Sequence, residues 1–265
     1  MSLYRDLSAA VADVYSGFKL REVWLLLGWS EIKQRYRRST LGPFWITLST
    51  AITIAVMGPL YGRLFGQQET GYVAFLAVGM VMWSFISGLI TETSTGFIAA
   101  EGYIKEFNLP LSVHIFRVVW RNFNIFLHNA LVMVLVVAFN KHISPWAIIE
   151  VPLAILFLLF NGIWVGLLLG VVCARFRDIQ QILSNILQIL FFVTPILWPA
   201  HMLGERSWLL NYNPIYFFIE SVRAPMLGNP VPSEIWMGLL ITSFVVFLLA
   251  SVIFGRFRSR IAYWL

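Results

Sequence analysis

Residues 146–174 read WAIIEVPLAILFLLFNGIWVGLLLGVVCA, and Glu150 is the single charged side chain among them. Roughly 20 mainly apolar residues suffice to cross a bilayer's hydrocarbon as a helix. This stretch is long enough, and it decides the class: a helix whose surroundings are lipid. Inside it, Gly162-xxx-Gly166-xxx-Gly170 sets three glycines on one helical face, a spacing that lets a neighbouring helix come close.

Working outward, the same criterion predicts spans at 43–64, 72–97, 113–139, 179–199 and 235–254. The expectation is an all-α integral membrane protein, a single domain of six transmembrane helices. Composition agrees: of 265 residues, 59% are hydrophobic and 12% charged, with a mean hydropathy of +0.77. A soluble domain carries about 25% charged residues. Long uncharged runs suit a bilayer, where a helix satisfies its own backbone. The formal net charge of +6 sits in basic residues beside apolar runs, so it points to anionic headgroups rather than nucleic acid. Cys173 is the only cysteine, which excludes an internal disulfide and a cysteine metal cluster. His114, His128, His142 and His201 have no metal-ligand spacing, so neither metal nor cofactor is expected in this chain. Residues 1–19 show no apolar signal core, so insertion is expected to use the spans themselves.

The connections orient the spans. Arg5, Lys19, Arg21, Lys33, Arg35, Arg37 and Arg38 precede the first span. Lys105, Arg175, Arg177, Arg256, Arg258 and Arg260 fall in connections on the same side, and Arg117 and Arg121 lie in the first turns of the third span. The opposite side holds Arg63, Lys141, Arg206 and Arg223. The Lys/Arg excess marks the cytoplasmic face, so both termini are expected there.

Three connections are more than tethers. Residues 18–38 read as a helix with an apolar middle and a basic end, too short to span and suited to the inner interface; Ser39-Thr40-Leu41-Gly42-Pro43 then marks a turn. Residues 99–110 form a short amphipathic helix closed by Pro110. Residues 200–234 are too apolar for a solvated loop. They fit an interfacial helix or a re-entrant hairpin covered by protein, with a helix starting at Asn213-Pro214 and ending at Gly228-Asn229-Pro230.

Within the spans, Glu92 is costly unless paired. Antiparallel neighbours bring Arg117 and Arg121 to similar depth, and a Glu92–Arg117 ion pair is expected. Gln181, Asn185 and Gln188 recur on one face of the fifth span, and Phe192 continues it. Such a stripe faces either another subunit or a polar pathway, or it bonds neighbouring helices. With Phe191 and Trp198, and with Tyr216 and Phe217 of the hairpin, it suits sugar: rings stack on pyranose faces and amides bond hydroxyls. None of the four lysines follows a glycine, so G-x-x-x-x-G-K-[ST] is absent from this sequence. ATP use is therefore expected to come from a second polypeptide.

The run Trp29-Ser30-Glu31-Ile32-Lys33-Gln34-Arg35-Tyr36-Arg37-Arg38-Ser39-Thr40-Leu41-Gly42-Pro43-Phe44-Trp45 resembles the start of polysaccharide ABC-exporter permeases within the ABC-2 group. Tyr103 to Pro110 resembles that family's coupling segment, and Arg177-Asp178-Ile179 with Thr194-Pro195-Ile196-Leu197-Trp198 its fourth loop and fifth span. Asn213-Pro214 with Arg223 resembles its outer hairpin, and the order holds along nearly the whole chain. The resemblance implies a homodimer with two ATPase subunits that bind ATP and Mg. Glu31, Arg35, Glu101, Tyr103, Lys105 and Glu106 would face those ATPases. It also implies an outer gate hairpin at 200–234 and a channel for undecaprenyl-linked polysaccharide of O-antigen type across the bacterial inner membrane. Glu92 departs from the family pattern, which has an uncharged polar residue there. Two alternatives stay open: an exporter of small drugs or lipids on the same fold, and a membrane glycan polymerase or ligase using Glu205, Glu220 or Glu234.

Overall fold

A computed structural model describes residues 2–37, 44–66, 69–139 and 143–265. The 39–43 turn, Arg38, Lys141 and His142 lie outside the described residues. Every regular element among the described residues is helical.

Five helices are long and apolar enough to cross a membrane. They are α3 (Phe44–Leu64), α4 (Glu69–Ser94), α6 (Ser112–Phe139), α7 (Ala147–Arg175) and α10 (Ser233–Phe257). The predicted 179–199 span differs. Its helix, α8, covers only Ile179–Val193, roughly 22 Å at 1.5 Å per residue, short of a core about 30 Å thick. The cause is Pro195, which drives the residue before it out of helical geometry; Thr194 is extended.

α4 and α7 form the centre of the bundle. The glycine stripe of α7 is where α4 lies: a Cβ at Gly162 would sit 3.1 Å from Leu89, at Gly166 2.8 Å from Thr93, and at Gly170 2.9 Å from Phe97. Leu89 and Thr93 stand one turn apart on α4 and Phe97 follows in the turn beyond it, so a ridge running off the end of α4 follows the smooth face of α7. By contrast α3 buries only Ile54, Gly58 and Gly62, and α8 only Leu187.

The N-terminal region is two helices rather than one. α1 (Ser2–Lys19) and α2 (Arg21–Tyr36) meet at Leu20, whose φ of −82° and ψ of 38° break the helical path. α1 packs on α10 and on the start of α6. Asp13 Oδ1 accepts from the Ser112 backbone N–H at 3.0 Å, so it caps α6 from another helix. Arg258 donates to the Ala9 carbonyl at 3.1 Å, which brings the two ends of the chain to one end of the bundle. The segment expected as a 99–110 helix is shorter too. After a 3₁₀ turn (Ile98–Ala100), α5 spans Glu101–Glu106 and ends where Phe107 becomes extended.

Between α8 and α10 the chain folds back into the bundle. Residues 194–199 continue away from α8, and the Leu197 carbonyl accepts from the Tyr72 hydroxyl near the start of α4. A 3₁₀ segment (Ala200–Tyr212) kinks at Gly204, where φ is +54°, and α9 (Pro214–Met226) follows. The start of α9 lies beside Asn161, midway along α7. Its end lies beside the start of α7, where Ser144 donates to the Pro225 carbonyl at 2.9 Å. α9 is therefore a short helix set among α4, α7 and α10.

Candidate functional site

Two features stand out. The first is an ionic network where α2 crosses α4 and α6. Glu92 on α4 is joined to Arg121 at 2.8 Å and to Arg35 at 3.2 Å, and it accepts from Asn122 at 2.7 Å. Arg117 is paired with Glu31 at 3.0 Å, and Glu31 also holds Arg121. The expected Glu92–Arg117 pair is thus replaced: Glu92 finds Arg121, one turn further along α6, and Arg117 finds a carboxylate from α2. Depth alone places both arginines near Glu92; the rotation of α6 selects between them. The guanidinium of Arg117 lies 5.9 Å from the Tyr103 ring, which ties α5 to the same cluster. Arg117 is 4% exposed as a side chain, and burying that charge requires such partners. Three arginines against two glutamates keep the network short of neutral, and Arg35 is its exposed member.

α5 carries the other residues expected to meet a partner. Lys105 and Glu101 pair at 2.6 Å one turn apart, both well exposed, and the lysine holds the Glu101 carboxyl below its ordinary range. Tyr103 is 43% exposed, and α5 buries no residue at all.

The second feature is the face of α8. Gln181, Asn185, Gln188 and Phe192 are all exposed; among the described residues the amides are tied by one long Gln181–Asn185 bond of 3.4 Å and by none to a neighbouring helix. Phe191 turns inward, its ring 5.4 Å from Trp83 on α4. Trp198 folds back and donates to the Phe192 carbonyl at 3.0 Å. Tyr216 is half-buried, and Phe217 points elsewhere: its ring packs over Gly238 of α10, where a Cβ would sit 2.6 Å away. Phe217 thus belongs to the α9–α10 contact and not to the face shared with α8.

Asn213 and Arg223 hold the hairpin. The Asn213 side chain accepts from the N–H groups of Ile215 and Tyr216 at 3.0 and 3.3 Å and donates to Thr194 Oγ1 at 2.9 Å. One amide both caps α9 and fastens it to the end of α8. Arg223, 2% exposed, donates to the Pro195 carbonyl at 2.7 Å and stacks 3.9 Å from the centroid of Phe75 on α4. Gly79 is what makes room, since a Cβ there would collide with Arg223 Nη2. Sequence reasoning marked Asn213 as the start of a helix, Thr194 and Arg223 as parts of family-like motifs and Arg121 as lying at the depth of Glu92, and it passed over Gly79. The signal for Arg121 was a second cation one turn from Arg117. Among the described residues no group of three or more His, Cys, Asp or Glu could hold a metal ion.

Apolar spanning helices packed around a half-length helix define a multi-pass membrane protein. The chain belongs to the ABC-2 type transporter family, which it matches over residues 22–227. It is 28% identical over 250 residues to the O-antigen export system permease protein RfbA of Myxococcus xanthus, covering 92% of this chain and 96% of the relative. It is 22% identical over 234 residues to a Klebsiella pneumoniae protein of the same name, covering 88% and 90%. It is 23% identical over 253 residues to the polysialic acid transport protein KpsM of Escherichia coli, covering 92% and 96%.

Proposed function

We propose that this chain is the membrane-spanning subunit of an ABC exporter that moves an undecaprenyl-linked polysaccharide, of O-antigen type, outward across the bacterial inner membrane. Two copies assemble with two ATPase subunits, and those partners bind ATP and Mg. The observation that carries the reading is the α8 face. Among the described residues its three amides have no partner on a neighbouring helix, and exposed to lipid they would be costly. Facing a hydrated passage between two copies, they can bond sugar hydroxyls, with Phe192 beside them. The names of the relatives, two polysaccharide export systems, support the same substrate class.

In this reading, α8 and residues 194–199 together make the sixth crossing, so both termini are cytoplasmic. The hairpin 200–226 is then the outer gate. α2 lies at the inner interface, and the ATPases dock on it and on α5, against Glu101, Tyr103, Lys105, Glu106 and the exposed Arg35. Glu31 and Glu92 convert a push on α2 into movement of α4 and α6, because both carboxylates bridge to arginines of α6. Gly79, Arg223, Asn213 and Thr194 hold α4, α8 and α9 in one contact, through which that movement reaches the gate.

The test is reconstitution with the cognate ATPase in proteoliposomes loaded with lipid-linked glycan. Wild type should translocate the glycan on ATP addition. A Gln181→Leu, Asn185→Leu, Gln188→Leu triple variant should assemble with the ATPase yet lose most transport. A triple variant that transports at the wild-type rate, or a wild-type chain that stays monomeric and binds no ATPase, sinks the reading.

A further inference from the structure

By helical register, α1 has three flanks. Asp6, Ala10, Asp13 and Gly17, at steps of four and three, form the flank that meets the bundle. A Cβ on Gly17 would fall on Ser112 Oγ of α6, and a Cβ on Gly255 of α10 would fall on the Asp6 backbone, so α1 is pressed against both helices. Ala10, between these contacts, is fully buried. Ser112 is the first residue of α6 and Gly255 lies in the last turn of α10. α1 therefore crosses the ends of two spanning helices, at the level where hydrocarbon gives way to headgroups.

The second flank is apolar and faces outward. Tyr4, Val11, Tyr15 and Phe18 lie along it, exposed by 81, 45, 60 and 57%. Leu7 and Val14, half-buried, fill the angle between this stripe and the bundle. The third flank is polar, with Arg5, Ser16 and Lys19 all exposed, and the Lys19 Nζ sits 4.4 Å over the Tyr15 ring. Both carboxylates of α1, Asp6 and Asp13, belong to the bundle flank, so the outward surface of the helix carries cations alone.

The end of α10 adds to that charge. Arg258 is engaged by Asp13 at 3.6 Å and by the Ala9 carbonyl. Arg256 and Arg260 are exposed and rest on the Phe257 ring, 5.8 and 6.0 Å from its centroid. Among the described residues Arg5, Arg256 and Arg260 enter no ion pair. Tyrosines and an apolar stripe on one side, unpaired cations on the other and no outward carboxylate complement an anionic headgroup layer. The family match begins at residue 22, so α1 lies outside it.

We propose that α1 and the end of α10 form a binding surface for anionic phospholipid, in the leaflet that meets this end of the bundle. Arg5, Arg256 and Arg260 hold headgroup phosphates, and the aromatic stripe of α1 lies at the boundary with the acyl chains. The surface fastens α1 across α6 and α10 from outside, and it does not depend on what the protein transports.

Two measurements on the full-length chain test this. In nanodiscs of phosphatidylcholine with phosphatidylglycerol, spin labels are placed on Val11→Cys and Ser16→Cys, the native Cys173 being buried. The label at 11 should be relaxed by oxygen more than by a water-soluble nickel chelate, and the label at 16 the reverse. In detergent, native mass spectrometry should show phosphatidylglycerol retained more tightly than phosphatidylcholine. Arg5→Gln, Arg256→Gln and Arg260→Gln should each reduce that preference about fivefold, the worth of one arginine at an anionic surface. Arg206→Gln, an exposed cation on the 3₁₀ segment 200–212, should leave it unchanged. A label at 11 that meets the nickel chelate as freely as the label at 16 overturns the proposal. So does a label at 11 sheltered only after an ATPase subunit is added, which would make the stripe a protein contact. Equal retention of the two lipids, or a preference that survives all three arginine variants, overturns it as well.

Discussion

Gly79→Ala is a small change with a large expected effect. A Cβ at this position would fall on Arg223 Nη2 and lie 3.2 Å from the Ile196 carbonyl oxygen. Arg223 is 2% exposed and borders a cavity lined by Gly71, Tyr72, Phe75 and Glu220, so yielding to the new Cβ carries the guanidinium away from the Pro195 carbonyl. Displacing it breaks the 2.7 Å bond to the Pro195 carbonyl, a charged hydrogen bond worth about 1.5–3 kcal/mol. It also breaks the stack on Phe75, worth about 2 kcal/mol when desolvated. Against this stands a gain of about 1 kcal/mol for alanine over glycine in a helix. The net loss is about 2.5–4 kcal/mol, or roughly 5–15 °C in Tm for a chain of this size. Cys173 is the only cysteine and is buried, so a thiol-reactive fluorophore reports unfolding directly. Gly71→Ala, on the same helix with nothing within 4 Å of its Cβ, is the control and should melt at or slightly above wild type. In an Arg223→Met background, Gly79→Ala should lose most of its effect, since the two residues share one contact. If Gly79→Ala melts together with Gly71→Ala, the guanidinium is not seated against residue 79, and the account of how α9 is held is wrong.

Three further outcomes are expected. Glu31→Gln strips Arg117 of its carboxylate and should cost about 3–5 kcal/mol, as the loss of one partner of a buried pair does; Glu101→Gln, at an exposed pair, should leave the melting curve unchanged. Gly166→Val places carbon where Ile115 and Thr93 already lie 2.8 Å from a Cβ, so it should lower stability by at least about 1–3 kcal/mol; Gly102→Ala, with open space around it, should not. Asn213→Ala removes the cap of α9, worth about 1 kcal/mol, and its tie to Thr194. Amide exchange at Ile215 and Tyr216 should quicken, and unchanged protection there would falsify the role assigned to Asn213.

Hydropathy and turn chemistry carried much of the architecture. α7 was legible because twenty or more apolar residues in line have one good solvent, and its glycine stripe announced a close contact. What the stripe met, Leu89 and Thr93 of α4 and Phe97 just beyond it, was not legible, because it depends on how α4 is rotated about its axis. The same ignorance of rotation put Glu92 with Arg117 in place of Arg121. α1 passed unnoticed since its residues look polar and mixed; its place rests on Asp13 meeting Ser112 and on Arg258 meeting Ala9, contacts across 99 and 249 positions of chain. The fifth span was read as one rod because hydropathy does not register that Thr194 must be extended before Pro195.

The linear sequence by itself determined that the chain is helical, that it lives in a membrane and that it carries no phosphate-binding loop, because backbone satisfaction, transfer energy and that motif are local properties. Only the tertiary structure decided which charges meet, that α9 packs among α4, α7 and α10, and that among the described residues the amides of α8 bond no neighbouring helix. Those outcomes depend on the rotation and depth of helices packed against one another, and many rotations share the same hydropathy.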